Sequence, residues 1–166
     1  MLLWSLISLA IGCKDAQDTG LGCEPSGEPT LIVGTGLAGD FYPFEDGQTV
    51  GLTSAPQGGF GVGVRAKVSG LVVDEGDGNA PLPVLMETYL DGALSDSFTN
   101  TGATAYCQED GSGLVWDLVV GFDRETYNSA DDLIGLQGAL ATLRIQATDL
   151  DGATASGEVD VVIEVD

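Results

Sequence analysis

The sequence predicts an all-β fold, one antiparallel β-sandwich of about seven to eight strands over residues 30–166. Three observations carry this expectation. Stretches of strict apolar and polar alternation recur along the chain, and that period of two turns one strand face to a core and the other to water. Between them lie turn clusters rich in Gly, Asp and Pro, and 25 glycines supply the backbone freedom that such turns use. Segments with a helical period are few.

Taken in chain order, the first strand falls at Thr30 to Gly34 and runs into "GTGLAG" at residues 34–39. That stretch has the G-x-G-x-x-G spacing of a dinucleotide turn. No helix can follow, however, because Asp40-Phe41-Tyr42-Pro43 interrupts it, so it reads as a strand-ending loop. After a turn at Glu45-Asp46-Gly47, a second strand is expected at Thr49 to Leu52, and the next turn is Pro56-Gln57-Gly58-Gly59. "GFGVGVRAKVSGL" then alternates Phe60, Val62, Val64, Ala66 and Val68 against Gly61, Gly63, Arg65, Lys67 and Ser69. Gly61 and Gly63 point to a bulge or to a backbone packed closely across them.

Further strands are expected at Pro83 to Leu90, at Ala103 to Gln108 and at Leu114 to Phe122, separated by the turns Asp91-Gly92 and Asp110-Gly111. In the last of these, Leu114, Trp116, Leu118, Val120 and Phe122 form the expected core row. "ETYNSADDLIGLQGA" holds room for a single helical turn. The chain closes on a hairpin, with Leu143, Ile145 and Ala147 facing inward on one strand and Val159, Val161, Ile163 and Val165 on the other. Asp149-Leu150-Asp151-Gly152 makes its turn, and Glu158, Asp160 and Glu164 face water.

Ahead of the sandwich, residues 1–12 carry an apolar run too short for a membrane span, which needs roughly 20 residues, but of the length of a signal-peptide core. Ala10-Ile11-Gly12-Cys13 resembles the lipobox of bacterial lipoproteins, which implies that Cys13 becomes the lipidated first residue. An ordinary signal peptide cut near Gly12, or a buried helix, is the alternative. Each acyl methylene buried in a bilayer contributes about 0.8 kcal/mol, so two or three chains hold a protein essentially permanently. Residues 13–29, "CKDAQDTGLGCEPSGEP", are polar and rich in Gly, Pro and Asp and read as a flexible tether. The remainder suffices for one domain.

With 26 acidic residues against 5 basic and no histidine, the net charge is −21, spread along the chain. Such a field repels nucleic acid and anionic lipid surfaces, attracts cations and basic partners, and keeps a tethered protein soluble. Of three cysteines, Cys13 is the lipidation candidate, leaving Cys23 and Cys107, an exported pair that suggests a disulfide. Such a bridge closes a long loop and contributes about 4 kcal/mol in the chain-entropy model; two unpaired thiols are the alternative. Without histidine, neither a Ser-His-Asp triad nor a Cys-His pair is available. Glycosidase chemistry needs only two carboxylates, which leaves a carboxylate-dependent hydrolase as the distant alternative to a noncatalytic role.

Calcium prefers carboxylate and carbonyl oxygens. Two loops offer them, "DEGDGN" with Asp74, Glu75, Asp77 and Asn79, and "TDLDG" with Asp149 and Asp151. Neither completes an EF-hand, and both are good turn sequences on backbone grounds alone. Tyr42, Tyr106 and Tyr127 are candidate contacts for a glycan or a protein, with core or rim packing as the plainer reading.

Across most of residues 30–166, the features Gly34-Thr35-Gly36, Phe44, Asp46-Gly47, Gln57-Gly58-Gly59 and Asp149 to Gly152 resemble a group of uncharacterised exported lipoproteins of delta-proteobacteria, myxobacteria among them. Gly61 stands here where members often carry a histidine, so no imidazole role is carried over. The C-terminal hairpin is similar to the last two strands of immunoglobulin-like surface domains of the cadherin and PKD kind. The resemblance implies an immunoglobulin-like sandwich and brings no activity. The expectation is a lipid-anchored outer-membrane protein on the periplasmic or cell-surface side. It acts as a noncatalytic binding or structural module whose partner is an envelope protein or glycan. A calcium-stiffened adhesion domain is the alternative.

Overall fold

The computed structural model describes Cys23 and residues 27–56, 58–73 and 81–165. Over these the chain forms β1 (Thr30–Thr35), β2 (Tyr42–Pro43), β3 (Gln48–Gly51), β4 (Thr53–Ser54), β5 (Phe60–Ser69), β6 (Val84–Leu90), β7 (Ala93–Asn100), β8 (Ala105–Cys107), β9 (Gly113–Gly121), a short helix α1 (Ala130–Leu133), β10 (Leu140–Thr148) and β11 (Thr154–Glu164). One sheet runs β2-β1-β5-β9-β8, with β4 also paired to β5; the other runs β3-β11-β10-β6-β7. The protein is therefore an all-β sandwich. Its central order, β1-β5-β9-β8 facing β11-β10-β6-β7, matches the A-B-E-D and G-F-C-C′ sheets of the immunoglobulin topology. The strand count exceeds the expected seven to eight because β2 and β4 are two-residue pairings and because β7 lies outside the strands that periodicity predicts.

Among the described residues all strand pairings are antiparallel except one, β3 alongside β11. After β2 the chain crosses to the other sheet, and Gly47 N–H donates to Asp160 O (2.7 Å) as β3 starts. The core is built by the alternating rows that the sequence displays. Val62, Val64, Ala66 and Val68 of β5 face Leu143, Ile145, Val161 and Ile163 of the hairpin, all essentially inaccessible to water. Each fully buried valine, leucine or isoleucine among them contributes roughly 2 kcal/mol. Leu133 and Leu136, from α1 and the 3₁₀ turn after it (Ile134–Leu136), close one end.

The turns follow their residues. Asp91 and Gly92 both take positive φ (49° and 78°), as a two-residue hairpin turn joining β6 to β7 requires. "GTGLAG" is a strand-ending loop, with Asp40 N–H returning to Leu37 O (2.9 Å). Ser129 and Asp132 form a reciprocal capping box on α1, the single helical turn expected there.

The expected core row of β9 requires correction. Leu118, Val120 and Phe122 are buried in it, but Val115 takes the place assigned to Trp116. Asp117 sits at φ 54°, and the register between Val64/Leu118 and Ala66/Val115 slips by an extra residue on β9. This bulge reverses the side-chain phase, because one inserted residue exchanges the two faces. Trp116 and Leu114 consequently lie on the outer face, Leu114 opposite Lys67 and Tyr106.

Candidate functional site

Four expected features fall outside the described residues: the lipidation candidate Cys13, the leader at 1–12, nearly all of the tether, and the calcium candidates Asp74, Glu75, Asp77 and Asn79. The other candidates have definite places. Cys23 and Cys107 form the expected disulfide, 84 residues apart in sequence. It fastens the N-terminal segment to β8, and Cys23 Sγ lies against Gly113 at the start of β9.

Asp149 is a buried carboxylate whose oxygens accept three backbone N–H groups. Oδ1 takes those of Asp151 (3.0 Å) and Ala153 (2.8 Å), and Oδ2 takes that of Val72 (2.9 Å). The first two bonds shape the β10–β11 turn, and the third staples to it the segment that follows β5. Asp151 is exposed, and no group of three metal-ligating side chains gathers among the described residues. Val72 N–H reaches Asp149 directly, so the segment that ends the described stretch at residue 73 lies against the β10–β11 turn. What Asp149 does there is accept N–H donors, as the turn reading requires.

The tyrosines separate. Tyr127 packs edge-on against Phe122, with centroids 6.1 Å apart, and belongs to the core's rim. Tyr42 is exposed on β2. Tyr106 stacks on Trp116 at 4.4 Å, and the Arg65 guanidinium lies 5.5 Å from the same indole while its Nη1 donates to Asp40 O at 2.7 Å. Beside this stack Lys67 pairs with Asp110 at 2.7 Å. The ammonium, and then the Ser112 hydroxyl, hold the Asp110 carboxyl well below the usual carboxylate range.

The feature that sequence reasoning missed is a groove of about 390 Å³ on the open side of the sandwich. It exists because strand lengths are unequal: β8 covers only Gly113 to Val115 of β9, so from Trp116 to Gly121 the far edge of β9 has no strand beside it among the described residues. In the other sheet β7 is likewise an edge, paired among the described residues only with β6. The groove lies between these edges, over Met86, Phe98, Leu118 and Phe122, with Asp96 and Asp117 on its sides.

Local contacts fix its shape. Gly61 and Gly121 pair directly, and a Cβ on Gly61 would collide with the Val120 carbonyl, so the close packing expected at Gly61 is present. A Cβ on Gly121 would meet Asp96 Oδ2 at 2.7 Å, so glycine there lets β7 approach. Thr88, fully buried on β6, donates from Oγ1 to Gly121 O at 2.5 Å and ties the sheets together at the groove's far end. Arg124 borders that end and makes no ion pair among the described residues. The one available signal was the mismatch between a long alternating β9 and the short stretch ahead of "CQEDGSG" that pairs with it.

With the groove in place, what the fold defines is a class, an all-β sandwich of immunoglobulin topology with one incompletely covered sheet edge. No protein-family model matches the chain, and no curated protein matches it.

Proposed function

We propose that the protein is an exported, lipid-anchored module of the bacterial envelope that binds a partner and does not catalyse. The observation that carries this reading is the Cys23–Cys107 disulfide, since such bridges persist in oxidising compartments outside the cytosol. An exported chain with Cys13 directly after a short apolar run suits acylation at that cysteine. The bridge also limits the tether: from Cys13 to Cys23 the chain reaches at most about 35 Å at ~3.5 Å per residue. The domain thus hangs from the end that holds Cys107 and Gly113, and the groove extends along β9 toward the opposite end, at Gly121 and Arg124.

The test is intact mass of the native protein extracted in detergent. A chain beginning at Cys13 with added acyl mass and two hydrogens fewer than the dithiol form is expected. An unmodified chain that retains Met1 overturns both anchor and export.

The Val72–Asp149 bond, which brings the segment ahead of the acidic stretch 74–79 to the "TDLDG" turn, favours a second reading, a calcium-braced adhesion domain. It predicts a higher midpoint of thermal unfolding in calcium than in chelator at matched ionic strength. An unchanged midpoint removes it.

A further inference from the structure

We infer that the groove between β7 and β9 receives an extended, basic segment of a partner protein, which adds to the free edge of β9 as a further strand. The inference takes from the preceding reading only that the domain binds a partner; anchoring plays no part in it.

Main-chain geometry favours this first. A strand edge presents a row of N–H and C=O groups, and natural sandwiches cover such edges or guard them with charge, most often lysine. Here β8 stops at Ala105, and no described strand pairs with the edge of Leu118-Val119-Val120-Gly121, although the Gly121 carbonyl already accepts from Thr88 Oγ1. These four residues carry no charge. An added strand bonds those main-chain groups of this edge that point away from β5 and that Thr88 leaves unbonded, as in other cases of recognition by strand addition.

The groove floor favours it independently. Met86, Leu118 and Phe122 are core residues that back the groove, and Phe98, 37% exposed, is the apolar side chain that meets an extended segment there. A strand's period of two delivers one side chain in every pair to that floor and the other to water.

Charge selects the occupant. The groove's sides carry Asp96 and Asp117, and the chain as a whole carries −21. A second copy would bring the same sign to the same edge, so self-pairing is opposed. A segment with Lys or Arg at its outward positions is attracted and meets the two aspartates. Arg124, at the far end, makes that end the one suited to a carboxylate or carbonyl of the incoming chain.

The test uses the full-length protein in detergent and a synthetic peptide of about ten residues alternating valine and lysine, matched to strand length. A peptide of equal charge with prolines at the central valines is the first control, and a valine–glutamate peptide is the second. Amide chemical-shift changes are followed at about 50 and 300 mM NaCl, the higher salt screening nonspecific attraction. The expected result is changes centred on residues 118–121 and 96–98 that persist at high salt with the lysine peptide and vanish with proline, which lacks the N–H groups of a strand. The double variant Asp96→Asn with Asp117→Asn is expected to bind roughly tenfold more weakly. Equal binding of lysine and proline peptides, changes centred elsewhere, binding of the glutamate peptide, or no change up to about 1 mM peptide each overturns the inference. None of these outcomes bears on lipidation, which intact mass decides separately.

Discussion

Trp116 and Asp149 are polar-bearing residues held in opposite ways. The Trp116 indole is stacked by Tyr106 and capped by Arg65, yet its Nε1–H is buried with no partner among the described residues. A buried donor left unpaired costs about 1–3 kcal/mol. Trp116→Phe keeps a ring in the stack and removes the orphan, so it is expected to change the unfolding free energy by less than about 1 kcal/mol, whereas Trp116→Ala loses about 2 kcal/mol of packing. Urea unfolding of the two variants checks this, and an equal loss in both refutes the assignment. Asp149 instead accepts from three backbone N–H groups, and Asp149→Ala strands those of Val72, Asp151 and Ala153. The expected loss is about 3 kcal/mol, read from the same urea midpoints. The sequence showed "TDLDG" as acidic and turn-forming, but not which of its carboxylates would turn inward, because that depends on Val72 arriving from a segment far away in the chain.

At the scale of elements, the strands that could be read were those whose alternation survives burial on one face. β5, β10 and β11 lie where periodicity puts them, and their inward rows are the core. β7 was missed because "ALSDSFTN" presents no apolar row, being mostly exposed along its length. It is a strand because the Asp91-Gly92 turn folds it back on β6, which is a property of two residues and a neighbour. β9 was half read: its alternation is real on both sides of Asp117, but the positive φ there changes which residues face inward. The groove was barely legible for a related reason, since its one signal is the difference in length between β8 and β9 and no single residue announces it. The disulfide was legible as a pairing, and its energetic role lies at this scale. Bridging residues 84 apart restricts the unfolded chain, so Cys23→Ser is expected to lower the unfolding free energy by about 4 kcal/mol. Measurement by urea unfolding with and without reductant checks this: reductant should bring the parent protein to the variant's midpoint and leave the variant unmoved.

For the whole molecule, the strongest electrostatic influence is the field of 26 carboxylates against 5 cations. Self-repulsion at −21 favours expansion, and dissolved salt screens it over about 10 Å at 0.1 M. At pH 7, raising NaCl from about 20 to 500 mM is therefore expected to raise the unfolding midpoint. Few attractive pairs are lost in return, since Arg144 with Glu158 and Lys67 with Asp110 are exposed bridges of small worth. Acid acts through two opposed effects. Protonating surface carboxylates relieves repulsion as pH falls from 7 toward 5. Against this, Asp110, Asp123 and Asp132 have pKa values lowered in the folded state, by Lys67, by the Thr126 hydroxyl and by the Ser129 hydroxyl respectively. A carboxyl with a depressed folded pKa stabilises the protein above its unfolded value near 3.8, and that contribution is lost as pH falls through the folded pKa. The midpoint is thus expected to hold or rise between pH 7 and about 5 and to fall below about pH 4. Scanning calorimetry over pH 2–7 at low and high salt follows both effects, with the salt effect shrinking as the carboxylates are neutralised. A midpoint that drops on adding salt at pH 7 would show that ion pairs, not repulsion, dominate the molecule's electrostatics, and net charge would then no longer select a basic partner for the groove.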